Sequence, residues 1–152
     1  MTSRRDFLVA TGSLAGGIGL VFAAGGARAT PASMQQAIGK VVGGSPVRRG
    51  KVKLDIPPLI DNGNAVPLSV AVESPMTPAD HVRAIHVFTE KNPQPYVVSA
   101  FLGPRSGRAS IATRVRLADT QTVVAIAELS DGSFWSDRKA VVVTLAACLE
   151  EL

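Results

Sequence analysis

Cysteine, histidine and aromatic residues are all scarce in this chain. Its 152 residues include one cysteine (Cys148), two histidines (His81 and His86), five phenylalanines, one tyrosine and one tryptophan. A single cysteine excludes a disulfide within the chain and leaves too few thiolates for a cysteine-based zinc site. The formal net charge is only +4, and no basic stripe is interleaved with aromatic residues. The composition therefore does not favour a surface that binds nucleic acid.

Long hydrophobic runs are also missing, and the most apolar stretch lies near the N-terminus. Val9 to Ala24 is interrupted by glycines, so it falls short of the ~20 predominantly apolar residues that a membrane span needs. Arg4 and Arg5 precede this stretch, and the small residues Ala27 to Ala29 follow it. This order is typical of a twin-arginine signal peptide. We therefore predict a signal over residues 1–29, cleavage after Ala29 and export of the folded chain to the periplasm; an uncleaved N-terminal anchor is the alternative.

The rest of the chain has the length of one domain and the pattern of an all-β protein. Residues 30–50 are predicted to be a helical arm and linker, in which Ser33 caps a short helix that runs through Ile38. Over residues 51–145, short apolar runs of period two alternate with turn residues, which predicts about seven or eight strands in a two-sheet β-sandwich. Residues 146–152 form a C-terminal tail that carries the cysteine.

No catalytic or cofactor motif stands out in the sequence. There is no G-x-S-x-G elbow and no phosphate-binding glycine loop, and the carboxylates are scattered. Met76, His81 and His86 lie within eleven residues, and a set of soft Met and His ligands suits copper. A spacing of five, however, places the two histidines on opposite faces of a strand. We predict no metal and no cofactor, with a copper-binding protein as an alternative.

Cys148 has two interpretations before any family is considered. An unpaired cysteine at the end of a strand is often a small, buried and inert hydrophobic residue. On the other hand, Cys148 lies close to the C-terminus, where chains tend to be exposed. An odd cysteine in an exported protein indicates an intermolecular bond or a reactive thiol. The residues alone leave both interpretations open.

Two long segments of the chain, taken in order, resemble the SoxY family of sulfur-compound carriers. The first is "GKVKLDIPPLIDNGNAVPLSVAVESPMTPADHVRAIHVFTEKNPQP", and the second is "ATRVRLADTQTVVAIAELSDGSFW". A valine-rich final strand then leads to Cys148, and the twin-arginine signal agrees with the same family. The resemblance covers nearly all of the chain after the signal.

This resemblance implies a fold, a function and partners. The fold is an immunoglobulin-like β-sandwich, and the expected partner in a heterodimer is a SoxZ-like subunit. Cys148 is the expected point of covalent attachment for intermediates of thiosulfate oxidation, which enzymes similar to SoxAX, SoxB and a sulfane dehydrogenase load and process. A thiol suits this role because sulfur–sulfur bonds form and break by thiolate exchange. The resemblance thus implies a carrier and not an enzyme.

The tail departs from the pattern of that family. SoxY arms end in Gly-Gly-Cys-Gly-Gly, whereas this tail reads Ala146-Ala147-Cys148-Leu149-Glu150-Glu151-Leu152. Alanine and leucine are stiffer than glycine and favour helix. The two glutamates disfavour a nearby thiolate and repel an anionic substrate at close range. The alternative function is therefore a SoxY-like sandwich that binds a partner but no longer carries sulfur.

Four further residues are interpreted as mainly structural. Phe134 and Trp135 follow the Asp131-Gly132 turn and are expected to pack in a strand or at a partner interface. Arg114 and Arg116 share one face of a predicted strand and are expected to be solvated, with docking as the less favoured interpretation.

Overall fold

The computed structural model describes residues 29–144, which form one helix, a short 3₁₀ turn (Pro104–Ser106) and nine strands. The predicted signal and the tail with Cys148 lie outside the described residues. The helix and strands, in chain order, are α1 (Pro31–Val42), β1 (Val47–Arg49), β2 (Val52–Asp55), β3 (Leu59–Ile60), β4 (Val66–Val72), β5 (Val82–Thr89), β6 (Tyr96–Phe101), β7 (Ser110–Val115), β8 (Gln121–Leu129) and β9 (Phe134–Val143).

The strands form two sheets, which confirms the predicted all-β sandwich. The large sheet has the order β1-β9-β8-β5-β6, with β3 paired to the far end of β9, and the small sheet has the order β2-β4-β7. Neighbouring strands are antiparallel, except that β1 and β3 both run parallel to β9. Because β1 and β3 lie along one edge of β9, the chain crosses from one sheet to the other at this edge.

The main core lies between the two sheets and follows the period-two pattern of the sequence. In β4, Val66, Leu68, Val70 and Val72 are all buried, as their alternation predicts. They pack against inward-facing side chains of β5 and β8 in the large sheet, which include Ile85 and several valines and alanines. Burial of apolar surface on two facing sheets is what holds such a sandwich together.

Helix α1 covers part of the outer face of the large sheet with a second apolar cluster. Met34, Ile38 and Val42, at a spacing of four, are buried there against a group of outward-facing side chains of the sheet: Phe88, Ile126 and Phe134. This packing makes the arm part of the folded domain.

The helix limits differ from the sequence prediction. Thr30, not Ser33, is the N-cap residue, and Ser33 completes a capping box by accepting from the Thr30 backbone N–H at 2.7 Å. The helix continues through Gly39 to Val42 because the buried stripe of Ile38 and Val42 outweighs the weak helix propensity of one glycine. Gly43, with φ +58°, then ends it in the left-handed conformation that favours glycine.

Of the helices that the structure describes, none is long and apolar enough to cross a membrane.

Candidate functional site

The described chain ends where the predicted carrier tail leaves the sandwich. Thr144 is the last described residue, and Cys148 lies four positions further on, outside the described residues. An extended chain advances at most ~3.3–3.6 Å per residue, so the Cys148 backbone lies within about 14 Å of Thr144. The position of the tail root therefore limits where the thiol can be presented.

The tail root is fixed by backbone hydrogen bonds to β3 and the residue before it. The Val142 N–H donates to the Pro58 carbonyl at 2.9 Å, and the Thr144 N–H donates to the Ile60 carbonyl at 2.9 Å. On the other side, the Val143 N–H donates to Oγ1 of Thr120 at 3.0 Å. These bonds continue the sheet to its last residue, so the tail leaves from a rigid element.

A buried amide pair supports the same end of the sandwich, and sequence reasoning missed it. Asn92 Oδ1 accepts from Gln121 Nε2 at 3.0 Å and from the Ala118 N–H at 3.0 Å, while Asn92 Nδ2 donates to the Arg116 carbonyl at 2.7 Å. Gln121 Oε1 accepts from the Lys91 N–H at 2.8 Å. Two amides that are both buried need such partners, but their separation along the chain gives no local signal of pairing.

This amide pair ties together the loop before β6 and the loop before β8. Thr120, which bonds to Val143 beside the tail root, lies in the second of these loops. The Ala29 N–H also donates to the Asn92 carbonyl at 2.9 Å. The amide pair therefore positions the surroundings of the tail root.

The three residues of the copper hypothesis have separate surroundings. Met76 is buried in the main core, where its sulfur accepts from the Val82 N–H at 3.5 Å. Nδ1 of His81 lies 3.2 Å from the Thr77 carbonyl, and His86 is on the outer face of the large sheet. Within residues 29–144 no group of three or more His, Cys, Asp or Glu side chains could hold a metal ion.

His86 instead belongs to a polar and aromatic cluster at the edge strand β6. Its Nδ1 lies 2.7 Å from the Tyr96 hydroxyl and 3.0 Å from the Ser99 hydroxyl, and these two hydroxyls are hydrogen-bonded to each other. A bulge in the β5–β6 pairing brings Tyr96 and Ser99 to one face, although they are three residues apart. The ring of Phe101, which is 80% exposed, approaches His86 edge-on.

Burial lowers the pKa of His86 below its usual value of 6.5, while the nearby Glu128 carboxylate acts in the opposite direction. A neutral ring has a free lone pair at one nitrogen, so Nδ1 can accept from a hydroxyl. The lowered pKa favours the neutral imidazole, which lies beside the two hydroxyl groups.

Of the remaining candidate residues, the two aromatic ones pack within the domain and the two arginines are exposed. Phe134 is buried under α1. Trp135 is half-buried against the main core, and its ring centroid lies 5.7 Å from Cζ of Arg48 and 5.1 Å from Nζ of Lys51. Arg114 and Arg116 are exposed.

Comparisons with known proteins identify one family and one shared fold. The model of the family described as sulfur oxidation protein SoxY matches residues 38–148, so that Cys148 is its last matched residue. The sulfur carrier protein SoxY from Chlorobium limicola f thiosulfatophilum has 26% sequence identity and a TM-score of 0.64, over 75% of this chain and 98% of its own. No curated protein sequence matches significantly.

Superoxide reductases share the fold at lower identity. The enzyme (neelaredoxin) from Ignicoccus hospitalis has 18% identity and a TM-score of 0.56, over 76% of this chain and 94% of its own. A putative superoxide reductase from Thermotoga maritima has 20% identity and a TM-score of 0.53, over 67% of this chain and 89% of its own. At this level of identity the likeness concerns the fold alone.

Proposed function

This chain belongs to the SoxY family of sulfur oxidation proteins, and from that membership we propose that it carries intermediates of thiosulfate oxidation as covalent adducts of Cys148. The observation that supports this most directly is the family match, which extends into the tail and ends on Cys148. The fixed tail root at Thr144 agrees with the proposal, because a carrier needs a rigid body and a reactive group at a defined reach.

The proposed chemistry requires only a thiolate from this chain. In loading, the Cys148 thiolate and the outer sulfur of thiosulfate form a new S–S bond, and the two electrons that leave pass to a haem protein similar to SoxAX. The product is Cys–S–S–SO₃⁻. Water then attacks the sulfonate sulfur in an enzyme similar to SoxB and releases sulfate, leaving a persulfide, Cys–S–SH. A sulfane dehydrogenase then oxidises the outer sulfur to the sulfonate Cys–S–SO₃⁻, with water supplying the oxygen atoms and the electron acceptor of that enzyme taking the electrons. A second hydrolysis by the enzyme similar to SoxB releases this sulfur as sulfate and returns the free thiol for the next turnover.

In this proposal the chain supplies the attachment point and the partners supply catalysis. A SoxZ-like subunit forms a heterodimer with this chain, and the two are exported together. The twin-arginine pair, Arg4 and Arg5, supports this because the route that reads such signals transports folded cargo. The place of action is then the periplasm, and the mature chain begins at Thr30.

The second candidate function is a partner-binding module without sulfur carriage, and the tail sequence favours it. Leu149 follows the sulfur directly, and Glu150 and Glu151 place negative charge close to a thiol that must ionise. If these residues suppress thiolate formation, the sandwich still binds its partner but no adduct forms.

Intact mass spectrometry separates these functions. The protein is purified without reductant from cells grown on thiosulfate and is measured before and after reduction. A carrier shows a mass increment that reduction removes and that maps to Cys148. Cys148→Ser should abolish both the increment and thiosulfate-dependent turnover of the reconstituted system. Ala147→Ser, which leaves the thiol in place, is the matched control.

An unmodified Cys148 in these cells, together with unchanged turnover of the serine variant, would reject the carrier function and favour the partner-binding module. The same mass gives the start of the mature chain and so tests cleavage after Ala29.

A further inference from the structure

A cleft on the outer face of the large sheet lies beside helix α1. Two adjoining cavities of about 260 Å³ and 280 Å³ share Gln35, Arg49, Val124 and Arg138 in their walls, so they form one cleft. These four residues come from α1, β1, β8 and β9. The packing of the helix on the sheet therefore creates the cleft, which is separate from the residues that hold the tail root.

Two arginines line the cleft without a carboxylate partner. Both Arg49 and Arg138 are exposed, and neither makes an ion pair with any of residues 29–144. The carboxylate of Asp137, next to Arg138 in the chain, lies on the other face of β9, where it accepts from the Leu54 N–H at 3.0 Å. The two positive charges are therefore not neutralised within the described part of the chain.

Protection of a sheet edge explains only one of these arginines. Charged side chains on edge strands prevent pairing with other chains, and Arg49 lies on the edge strand β1. Arg138, however, lies on β9, which has β8 on one side and β1 on the other. Edge protection therefore does not account for the pair.

The strand register brings the two arginines close enough to hold one ligand. Arg49 pairs with Ser136 in the parallel ladder, and Arg138 lies two residues further along β9 on the same face. Strands lie ~4.8 Å apart and two residues advance ~6.6 Å, so the two Cα atoms are separated by about 8 Å. Each guanidinium group offers a planar fork of N–H donors that matches two oxygens of an oxyanion. The Ser136 hydroxyl already donates to the Arg48 carbonyl at 3.3 Å, so the guanidinium groups are the main donors.

The charge of the cleft changes along its length. The half of about 260 Å³ contains both arginines and no carboxylate, whereas the other half extends to Glu90, whose carboxylate accepts from the Thr122 N–H at 2.9 Å. An anion is therefore attracted to the first half and repelled from the far end of the second. The first half is smaller than the ~300–1,000 Å³ pockets that hold drug-sized ligands, so a small anion fits it better than an acidic protein segment does.

The floor of this first half is apolar, which affects the choice among small anions. Ile38, Val47 and Ile126 line it together with the two arginines. Apolar walls lower the local dielectric constant, which strengthens the attraction between the guanidinium groups and an anion. They also favour an anion with one large, weakly hydrated atom. Thiosulfate has such an atom in its outer sulfur, whereas sulfate presents only oxygens.

We propose that Arg49 and Arg138 form a non-covalent binding site for a divalent tetrahedral oxyanion of the thiosulfate type, with its oxygens on the two guanidinium groups and its outer sulfur on the apolar floor. The two positive charges match the two negative charges of the ligand. No bond forms or breaks at this site, and Cys148 takes no part in it. The site goes beyond the proposed function, which concerns only covalent attachment to the thiol.

The test measures binding in a chain that cannot form an adduct. ¹⁵N-labelled Cys148→Ser protein is titrated with sodium thiosulfate or sodium sulfate at constant ionic strength, set with sodium chloride, and the arginine Nε–H signals are followed by NMR. Thiosulfate should give saturable shifts of the Arg49 and Arg138 signals at a several-fold lower concentration than sulfate does.

Substitutions in this background test the assigned contacts. Arg49→Gln and Arg138→Gln should each weaken thiosulfate binding by about tenfold or more, because a hydrogen bond between charged groups is lost. Arg138→Lys keeps the charge but not the fork of donors, so its affinity should be intermediate. The matched control is Arg105→Gln, which removes the same charge at an exposed position outside the cleft and should leave binding unchanged.

No saturable shift with either anion would overturn the proposal. An equal loss of binding in Arg105→Gln would also overturn it, since net charge alone would then explain the effect. Sulfate binding as tight as that of thiosulfate would reject the role of the apolar floor and the assignment to thiosulfate.

A protein interface is the other outcome of the test. If neither anion binds and Arg49→Gln weakens the binding of a SoxZ-like subunit, the anion site is rejected and the cleft belongs to a partner. Because the protein in these titrations lacks the thiol, their outcome is independent of whether Cys148 carries sulfur, which the mass spectrometry decides separately.

Discussion

His86 shows how one residue acquires a property that its sequence context does not announce. It lies in an apolar strand, and the structure buries it on the outer face of the sheet with Tyr96 and Ser99 as its hydrogen-bonding partners. Because burial lowers its pKa below 6.5, the native state binds this proton less readily than the unfolded state does. Protonation of His86 therefore favours the unfolded state.

We predict that this histidine makes the protein less stable in mild acid. The free energy of unfolding should fall as the pH drops below about 6.5, the unfolded value for His86, and the loss should grow until the folded pKa is reached. His86→Gln removes this contribution, so its unfolding free energy should change less between pH 8 and pH 5 in urea titrations.

If the unfolding free energies of the wild type and His86→Gln change equally between pH 8 and pH 5, His86 is not the cause of the acid sensitivity. The Glu128 carboxylate acts to raise the pKa of His86. Glu128→Gln should therefore increase the loss of unfolding free energy between pH 8 and pH 5.

At the level of elements, the tail root depends on loops that are distant in sequence. Strand β3 is only two residues long, yet its end and the loop before β8 hold the last residues of β9 from two sides. The Asn92 side chain in turn holds the loop before β8, because it accepts from the Ala118 N–H. A short strand and two loops therefore fix the element from which the tail departs.

We predict that Asn92→Ala destabilises the protein by about 1–3 kcal/mol, because it leaves the Ala118 N–H without its acceptor and removes one of the two acceptors of the buried Gln121 Nε2. Chemical denaturation measures the loss. Gln94→Ala, at an exposed position of the same loop, should change stability by less than about 0.5 kcal/mol. Equal effects of the two substitutions would show that the amide pair does not hold the loops.

For the whole molecule, the two sheets share one core and are tied together at the edge where the chain crosses. Leu54 of β2 is 1% exposed in that core, and its N–H donates to the Asp137 carboxylate of β9 at 3.0 Å. The inward-facing side chains of both sheets form a single cluster. Neither sheet can bury its apolar face without the other.

We predict that Leu54→Ala lowers the free energy of unfolding by about 2–5 kcal/mol, from lost burial and the cavity left behind. Unfolding should remain a single transition when it is followed by both circular dichroism and Trp135 fluorescence. Leu59→Ala, at the exposed leucine near the same edge, should have little effect. Two separate transitions would contradict a shared core.

The sequence alone was sufficient for the fold class. Period-two burial is a local property, and in β4 every predicted inward residue is buried. The sequence was less successful at predicting where the strands and the helix begin and end. The final strand begins at Phe134, well before its valine-rich part, because a tight turn in which the Ser133 N–H donates to Asp131 starts the strand there. The helix extends past Gly39 because it packs on the sheet.

The family and its candidate thiol were also determined by the sequence, since long ordered segments and a single cysteine need no tertiary information to be recognised. Only the tertiary structure decided which distant residues meet. The Asn92–Gln121 pair and the His86 cluster with its bulge each join strands or loops that are far apart in the chain. Local patterns specify which face of a strand is buried, but hydrogen-bond partners and concave surfaces arise only when the two sheets pack.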